Sequence, residues 1–597
     1  MSMLDKLAGQ SAEERTRRFF LALAVSLGFL QAWASRMDLV SDTVSYLDIG
    51  DGLWRGHWSM LVNGIWGPFF AAILGVVVGL FRPSPYWEFP LVHLVMFAIF
   101  LFALWGFDFF LRELISLRRQ NESDHEFSLP AWVWLTIGYT LFLWSSLQLI
   151  QVSETNPDML VAAFFYLACG LLVRIRRNAA GRLTYLSLGL VLGLGYLTKS
   201  IMFPVSLICL AVAFAIGQRD ARQRLRFLGA VAVFLAVTMP FVAALSIQKG
   251  RFTFGESGRY NYAVHVDHVP RTHWQGETTG SGNPLHGSRQ IFDRPATFEF
   301  GTPVEGTYPA WTDPSYWYDG VQTHFNLHRL LVTEARLLHV ETLFFFELHG
   351  ALIATLFVMF YVGTRPKSTQ HDFSAYWFLL LPAVITLCLY ASIHIEPRYL
   401  APFIVVLLLG LFFSVHLPAA PESRRLSSAV AIFLFLMFVC PVESSSLHVK
   451  EFVRDLTGRS APDQSSYQAM TSEMSRMGLR PGDRIASLEY SLWGMSTWAR
   501  LSRVKIVAEV YYWPSLSEST GNDFWKADSA TQARVIQAIE KTGARVIVSQ
   551  AAPIPTDASG WRRVGNTDYY AYWFNPSTQS STGRDTLPRA TEGNVSP

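Results

Sequence analysis

Runs of about 20 apolar residues, the length a helix needs to cross a bilayer, recur at about 19–35, 88–112, 131–151, 159–175, 183–198, 201–217, 227–247, 342–363, 374–393, 399–416 and 427–443. The pattern predicts a polytopic all-α membrane domain of about 11 transmembrane helices over 1–443. A further run at 67–81 spans roughly 15 residues, with three glycines, and stops at Arg82-Pro83-Ser84-Pro85, which is short for a span. After 443 the periodicity changes. Helices are expected at 467–477 and 531–541 and strands at 484–488, 504–508 and 544–549, a small α/β domain occupying 444–576. From 577 to 597, Ser, Thr, Gly, Asn and Pro leave little to bury, and a disordered tail is expected.

Charge placement orients these elements. With 67–81 left out as a span, the internal loops carry Arg112, Arg118 and Arg119; Arg174, Arg176, Arg177 and Arg182; Arg219, Arg222, Arg224 and Arg226; Arg365 and Lys367; and Arg424 and Arg425. Every short internal loop is then basic, as the positive-inside rule requires. Counting 67–81 as a span inverts all later loops, so it is placed as an interfacial helix on the outer side. The N-terminus is then inside. Outside lie a first loop at 36–87, a turn at 152–158, a large loop at 248–341 and everything after about 444. The first run lacks a small-residue cleavage site and reads as a retained span.

Composition agrees: 51% of residues are hydrophobic and 16% charged, against about 25% charged in soluble proteins. A net charge of +3, spread among short clusters, gives no reason to expect a nucleic-acid partner. Cys169, Cys209, Cys388 and Cys440 sit in apolar runs without paired spacing and read as packing residues.

The candidate chemistry lies in the outer segments. Asp38, Asp42, Asp48 and Asp51 follow the first span closely; on a helix Asp42 and Tyr46 share a face with Ile49 and Leu53, whereas Asp48 and Asp51 point elsewhere. Capping of an interfacial helix by Asp38 or Asp42 stands as the alternative. Glu154 and Asp158 occupy the second outer turn, Lys199 interrupts two apolar runs, and Glu396-Pro397-Arg398-Tyr399 separates two more. Charges at span ends also snorkel, but four turns delivering acids and bases to one depth fit a functional cavity. Arg and Lys beside a lipid-embedded cleft suit a phosphate or pyrophosphate. In the large loop Tyr260, Tyr262, Trp274, Trp311 and Trp317 alternate with Gln275, Glu277 and Asp313, a composition suited to sugar rings or to an interfacial aromatic belt. His265, Asp267, His268, His273 and His286 match no short metal signature. Glu347 and His349 are further candidates for the cavity wall.

Asp42 with Tyr46, then Trp54-Arg55-Gly56-His57-Trp58, Asn63-Gly64 and the interfacial helix, together with Glu396-Pro397-Arg398-Tyr399-Leu400, resemble the integral-membrane GT-C glycosyltransferases. They are most similar to the bacterial family-39-like group of protein mannosyltransferases and lipid A aminoarabinose transferases. The resemblance covers roughly the first 250 residues and 390–410. It implies a GT-C-like membrane domain, a polyprenyl-phosphate-linked sugar donor, inverting transfer to an extracytoplasmic glycan, lipid or protein, and residence in the bacterial inner membrane. Carried over, Asp42 is the general base, Asp158 assists the acceptor or a metal, and Lys199 and Arg398 hold the lipid phosphate. Tyr46, Asp48, Glu154, Trp274, Glu277, Trp317 and Glu396 are candidate substrate contacts. No second acid directly follows Asp42, unlike the Asp-Glu pair of protein mannosyltransferases, which weighs against a protein acceptor. No cofactor beyond the lipid-linked donor is required, and a divalent metal stays open. The alternatives are a glycan ligase or polymerase with a lipid-diphosphate donor and a lipid-linked glycan transporter, which would carry its charges at mid-membrane depth in related halves.

Overall fold

The computed structural model describes residues 3–121, 130–217, 221–270, 272–274, 288–300, 306–312, 314, 320–332, 335, 369–414, 421–439, 443–457, 466–489, 491–492, 494–511, 523–550 and 560–574. The first half is helical: α1 (Met3–Ala34), α2 (Ser41–Arg55), α3 (Pro68–Phe81), α4 (Pro85–Asn121), α5 (Ala131–Trp144), α6 (Asp158–Arg176), α7 (Arg182–Thr198), α8 (Met202–Gly217), α9 (Ala221–Lys249) and α10 (Ser257–His265). The single turn α11 (Pro309–Thr312) precedes α12 (Thr369–Ala391), α13 (Pro397–Ser414), α14 (Pro421–Val439) and α15 (Glu443–Leu456). Helices stand at ten of the eleven expected spans, and the remaining one, 342–363, lies outside the described residues. Six described helices, α4, α5 with its continuation to Ile150, α6, α9, α12 and α13, are long and apolar enough to cross a membrane.

Ion pairs tie the helices together at the basic end of the bundle. Asp108 of α4 accepts from Arg17 Nε and Nη2 of α1 at 2.8 and 3.0 Å and from the Tyr139 hydroxyl of α5 at 2.6 Å. Glu113, one turn further on, accepts from Arg174 and Arg177 of α6. Arg174 and Arg177, from one of the basic clusters expected in a short loop, therefore also hold helices together.

The run at 67–81 forms α3, whose 14 residues rise only about 21 Å, short of the ~30 Å hydrocarbon core. It packs on α2 through two glycines. A Cβ on Gly50 would meet Gly75 Cα at 2.7 Å, and one on Gly75 would meet Gly50 Cα at 2.6 Å. Backbones this close exclude any side chain at the crossing, the role small residues play between membrane helices.

The second half carries a seven-stranded sheet, ordered β1-β2-β4-β3-β5-β7-β6. Its centre is parallel: β3 (Arg484–Ser487) lies between β4 (Lys505–Val510) and β5 (Val546–Gln550). The crossovers contain α17 (Met495–Leu501), then α18 (Asp523–Lys526) and α19 (Ser529–Glu540), while α16 (Ser466–Arg476) precedes β3. The three expected strands and both expected helices are thus found close to their expected positions. Antiparallel β6 (Trp561–Arg563) and β7 (Tyr569–Trp573) were not foreseen. Nor was the hairpin of β1 (Ser288–Phe292) and β2 (Thr297–Phe300), contributed by the large outer loop and paired antiparallel to β4. The sheet therefore extends beyond 444–576 into that loop.

Substituting Gly75→Leu is expected to force α2 away from α3 and lower stability by about 1–3 kcal/mol, the range for overpacking. Thermal unfolding of the purified protein in detergent measures this, and an unchanged midpoint would refute the close crossing.

Candidate functional site

The chain between α1 and α2 is fixed to the turn before α6. Val40 N donates to Thr155 Oγ1 at 3.3 Å, the Thr43 hydroxyl lies 2.6 Å from Thr155 Oγ1 and also donates to the Thr155 carbonyl, and His93 Nε2 meets Asp38 O at 2.9 Å. That turn is itself shaped by a π turn at Ser145–Ile150 followed by Gln151 at φ +63°, a left-handed backbone uncommon for a side chain other than glycine or asparagine. Gln31 of α1 secures it, donating to Leu147 O and accepting from Val152 N at 2.9 and 2.8 Å. These local constraints put Asp42, in the first turn of α2, and Asp158, at the start of α6, on one cavity.

The cavity measures about 280 Å³ and is also lined by Tyr46, Lys199, Glu396, Arg398, Tyr399 and Trp311. The N-terminal ends of α2, α6 and α13 meet there, and helix N-termini favour negative charge. Arg398 is the hub. Its Nε lies 2.8 Å from Glu396 Oε2 and 3.8 Å from Asp158 Oδ2, and its Nη2 lies 3.9 Å from Asp42 Oδ2. Lys199 Nζ donates to Asp158 Oδ1 at 2.6 Å and stands 3.5 Å from the centre of the Tyr399 ring. Trp311 Nε1 donates to Asp42 Oδ1 at 3.0 Å, while the Trp311 carbonyl is held by Ser45 Oγ and Trp66 Nε1 at 2.9 Å each.

The field within this cavity is uneven. Burial lowers the Lys199 pKa, with the Asp158 charge opposing. Burial raises that of Glu154, and the nearby Arg398 charge partly offsets this. At Glu396 burial pushes upward but is outweighed by the His394 hydrogen bond and the Arg398 charge, leaving the carboxyl at about 2. Asp42 and Asp158 reach Arg398 only at 3.9 and 3.8 Å, so an incoming anion could take the guanidinium from them without breaking a short hydrogen bond.

Of the residues picked out from the sequence, Asp42, Tyr46, Asp158, Lys199, Glu396 and Arg398 line this cavity, as do Tyr260, His265, Trp311 and Tyr399, and Glu154 lies within electrostatic reach of Arg398 and Asp42. Asp48 does not line it: six residues beyond Asp42 on the same helix, it turns to another face and accepts from Thr307 N and Arg500 Nη1. Trp274 is buried in the apolar core instead. Glu277, Trp317, Glu347, His349 and His286 lie outside the described residues. The histidine group disperses. His265 stacks on His394 at 4.0 Å beside the cavity, whereas His273 donates to buried Glu509 at 2.6 Å. Among the described residues no three His, Cys, Asp or Glu side chains are grouped to hold a metal ion.

Some of the cavity wall was not picked out beforehand. His394, two positions before Glu396, shares its interhelical turn, and that proximity was the available signal. Leu492 reaches the cavity from the loop after β3, in the sheet-bearing part, whereas the rest of the wall comes from the helices, their turns and the large loop.

No known sequence family and no curated protein sequence matches the chain. An oligosaccharyltransferase of Archaeoglobus fulgidus, in complex with zinc and sulfate, superposes with a TM-score of 0.46 at 13% identity, over 90% of this chain and 68% of that one. ArnT of Cupriavidus metallidurans in the apo state gives 0.38 at 13% identity, over 93% of this chain and 97% of the other. The undecaprenyl-phosphate-bound form of ArnT gives 0.39 at 12% identity, over the same shares of both chains. At these identities and TM-scores the likeness carries nothing about activity, which has to come from the site's own groups.

Asp158→Ala is expected to leave Lys199 buried without its close partner and to cost about 2–3 kcal/mol, somewhat below the loss typical of a fully buried pair. Adding Lys199→Met should recover most of that loss. Thermal unfolding of both single variants and the double variant provides the cycle, and strictly additive losses would show that the pair is not coupled.

Proposed function

We propose that this chain is an integral-membrane glycosyltransferase of the bacterial inner membrane, moving a single sugar from a polyprenyl-phosphate donor to an acceptor on the outer side. The observation that carries this reading is the meeting of one carboxylate, Asp42, with two cations, Lys199 and Arg398, in a single cavity. Transfer needs those types of group. The acceptor hydroxyl is a poor nucleophile, and Asp42 takes its proton as the new bond to C1 forms. As the C1–oxygen bond breaks, its electron pair leaves with the polyprenyl phosphate, which Arg398 and Lys199 stabilise as fixed cations. Attack opposite the leaving phosphate inverts the configuration at C1.

Without substrate, Asp42 and Asp158 both share Arg398. A donor phosphate drawing that guanidinium away would leave Asp42 held by the Trp311 N–H alone, with one oxygen open to the acceptor. Two cations against three carboxylates suit a monophosphate better than the diphosphate of a ligase or polymerase donor. The charges gather where helices end and turn, which favours an enzyme over a transporter with a mid-membrane site. The sheet-bearing part, assigned chiefly to 444–576, supplies Leu492 to the wall, which supports a part in ordering the acceptor.

Membranes carrying the wild-type chain are expected to move label from one of a panel of radiolabelled polyprenyl-phosphate sugars to lipid-extract acceptors. Asp42→Asn, which keeps size and loses the base, should lower transfer by roughly a hundredfold or more while leaving donor binding near wild type. Wild-type turnover in Asp42→Asn would sink the assignment. Arg398→Ala should weaken donor binding, and unchanged donor affinity there would move the phosphate site elsewhere.

A further inference from the structure

A second polar cavity, of about 110 Å³, lies on the other side of α2, where the 306–307 turn and the α/β sheet meet the helix. Arg55, Arg500, Arg503 and Lys505 line it together with Asp48 and Asp51. Behind it Glu88 accepts from Arg500 Nε at 2.8 Å and also pairs with Arg503.

Arg500 is 3% exposed. Its Nη1 is well used, lying 2.8 Å from Asp48 and 2.7 Å from Asp51, but its Nη2 is buried with no hydrogen-bond partner among the described residues. A guanidinium donor buried without an acceptor is costly, and such groups in folded proteins nearly always have one. The volume exceeds what one water needs. A tetrahedral oxyanion would supply an acceptor to Arg500 Nη2 and stand beside the other cationic groups that line the cavity, Arg55, Arg503 and Lys505.

We propose that this cavity is a phosphate-monoester site, separate from the Asp42 cavity and independent of the transfer reaction proposed above. The neighbouring surface fits delivery by a lipid. Trp54, Trp58, Leu80 and Phe81 are 55–71% exposed, and aromatic side chains of this kind settle at the level of lipid head groups. The helix that holds the candidate base on one face would then hold a phosphate on another.

The test titrates the purified full chain with inorganic phosphate in detergent by calorimetry, and with phosphatidic acid against phosphatidylcholine by native mass spectrometry. Lys505→Gln and Arg55→Gln are each expected to weaken binding about tenfold, the loss of one charge-assisted contact, while Arg398→Ala leaves it within twofold. Arg500→Met removes the ion pairs that join the sheet to α2 and α4, so Lys505 and Arg55, at the cavity's edge, carry the test. Preference for phosphatidic acid assigns the site to a lipid, and binding of inorganic phosphate without that preference assigns it to a soluble ester. Binding of neither probe overturns the proposal. So does binding that Arg398→Ala removes and the other two variants keep.

Discussion

A guanidinium withdrawn from water must be surrounded by acceptors, and the arrangement of the cavity follows from meeting that requirement at Arg398. Three carboxylates from three separate stretches of chain, Asp42, Asp158 and Glu396, are drawn to it, and Lys199 in turn meets Asp158. None of these stretches could approach the others without the opposite charges, since like carboxylates this close repel. The ion pairs therefore assemble the cavity as well as equip it. They also leave it poised: each of the longer contacts to Arg398 can be exchanged for a contact with an incoming anion at little cost.

Helix α2 translates that requirement into the position of the candidate base. Its faces are used separately: Asp42 and Tyr46 on the cavity, Gly50 against the backbone of α3, and Asp48 and Asp51 on Arg500 of the sheet-bearing part. With neighbours on every side, the helix has little freedom to rotate or slide, and a carboxylate in its first turn is held in place by contacts several turns away. Gly306, with φ +74°, belongs to the same lock. It lets the backbone turn so that Thr307 N and Oγ1 both donate to Asp48, at 2.6 and 3.0 Å.

The parts of this arrangement legible in the sequence are those with a local period. Apolar runs of bilayer length marked helices, and the i, i+4 relation placed Asp42 and Tyr46 together while separating Asp48 from them. Charges interrupting apolar runs marked Lys199 and Arg398. Contacts made across the chain left no such trace. Arg500 is 452 positions from Asp48, and nothing in its own sequence neighbourhood marks it. The β1–β2 hairpin lies in a Gly- and Pro-rich loop and acquires a strand partner only from β4, more than 200 residues later. Leu492 carries no pattern at all, because an isolated residue on a cavity wall is defined by what faces it.

The same distinction explains why the outer loop and the C-terminal sheet cannot be considered apart. Buried Glu509, at the end of β4, accepts from His273 and from the Tyr308 hydroxyl, both in the outer loop, and from Ser491 N in the loop after β3. One carboxylate thus joins the loop that carries Trp311 to the loop that carries Leu492, and both of those residues face the cavity. Trp311 then passes the constraint to Asp42 through its indole N–H. A buried acid with three donors is satisfied only when all three segments are in place. The wall of the cavity is therefore completed by the sheet, and the membrane helices supply its charges without being able to close it alone.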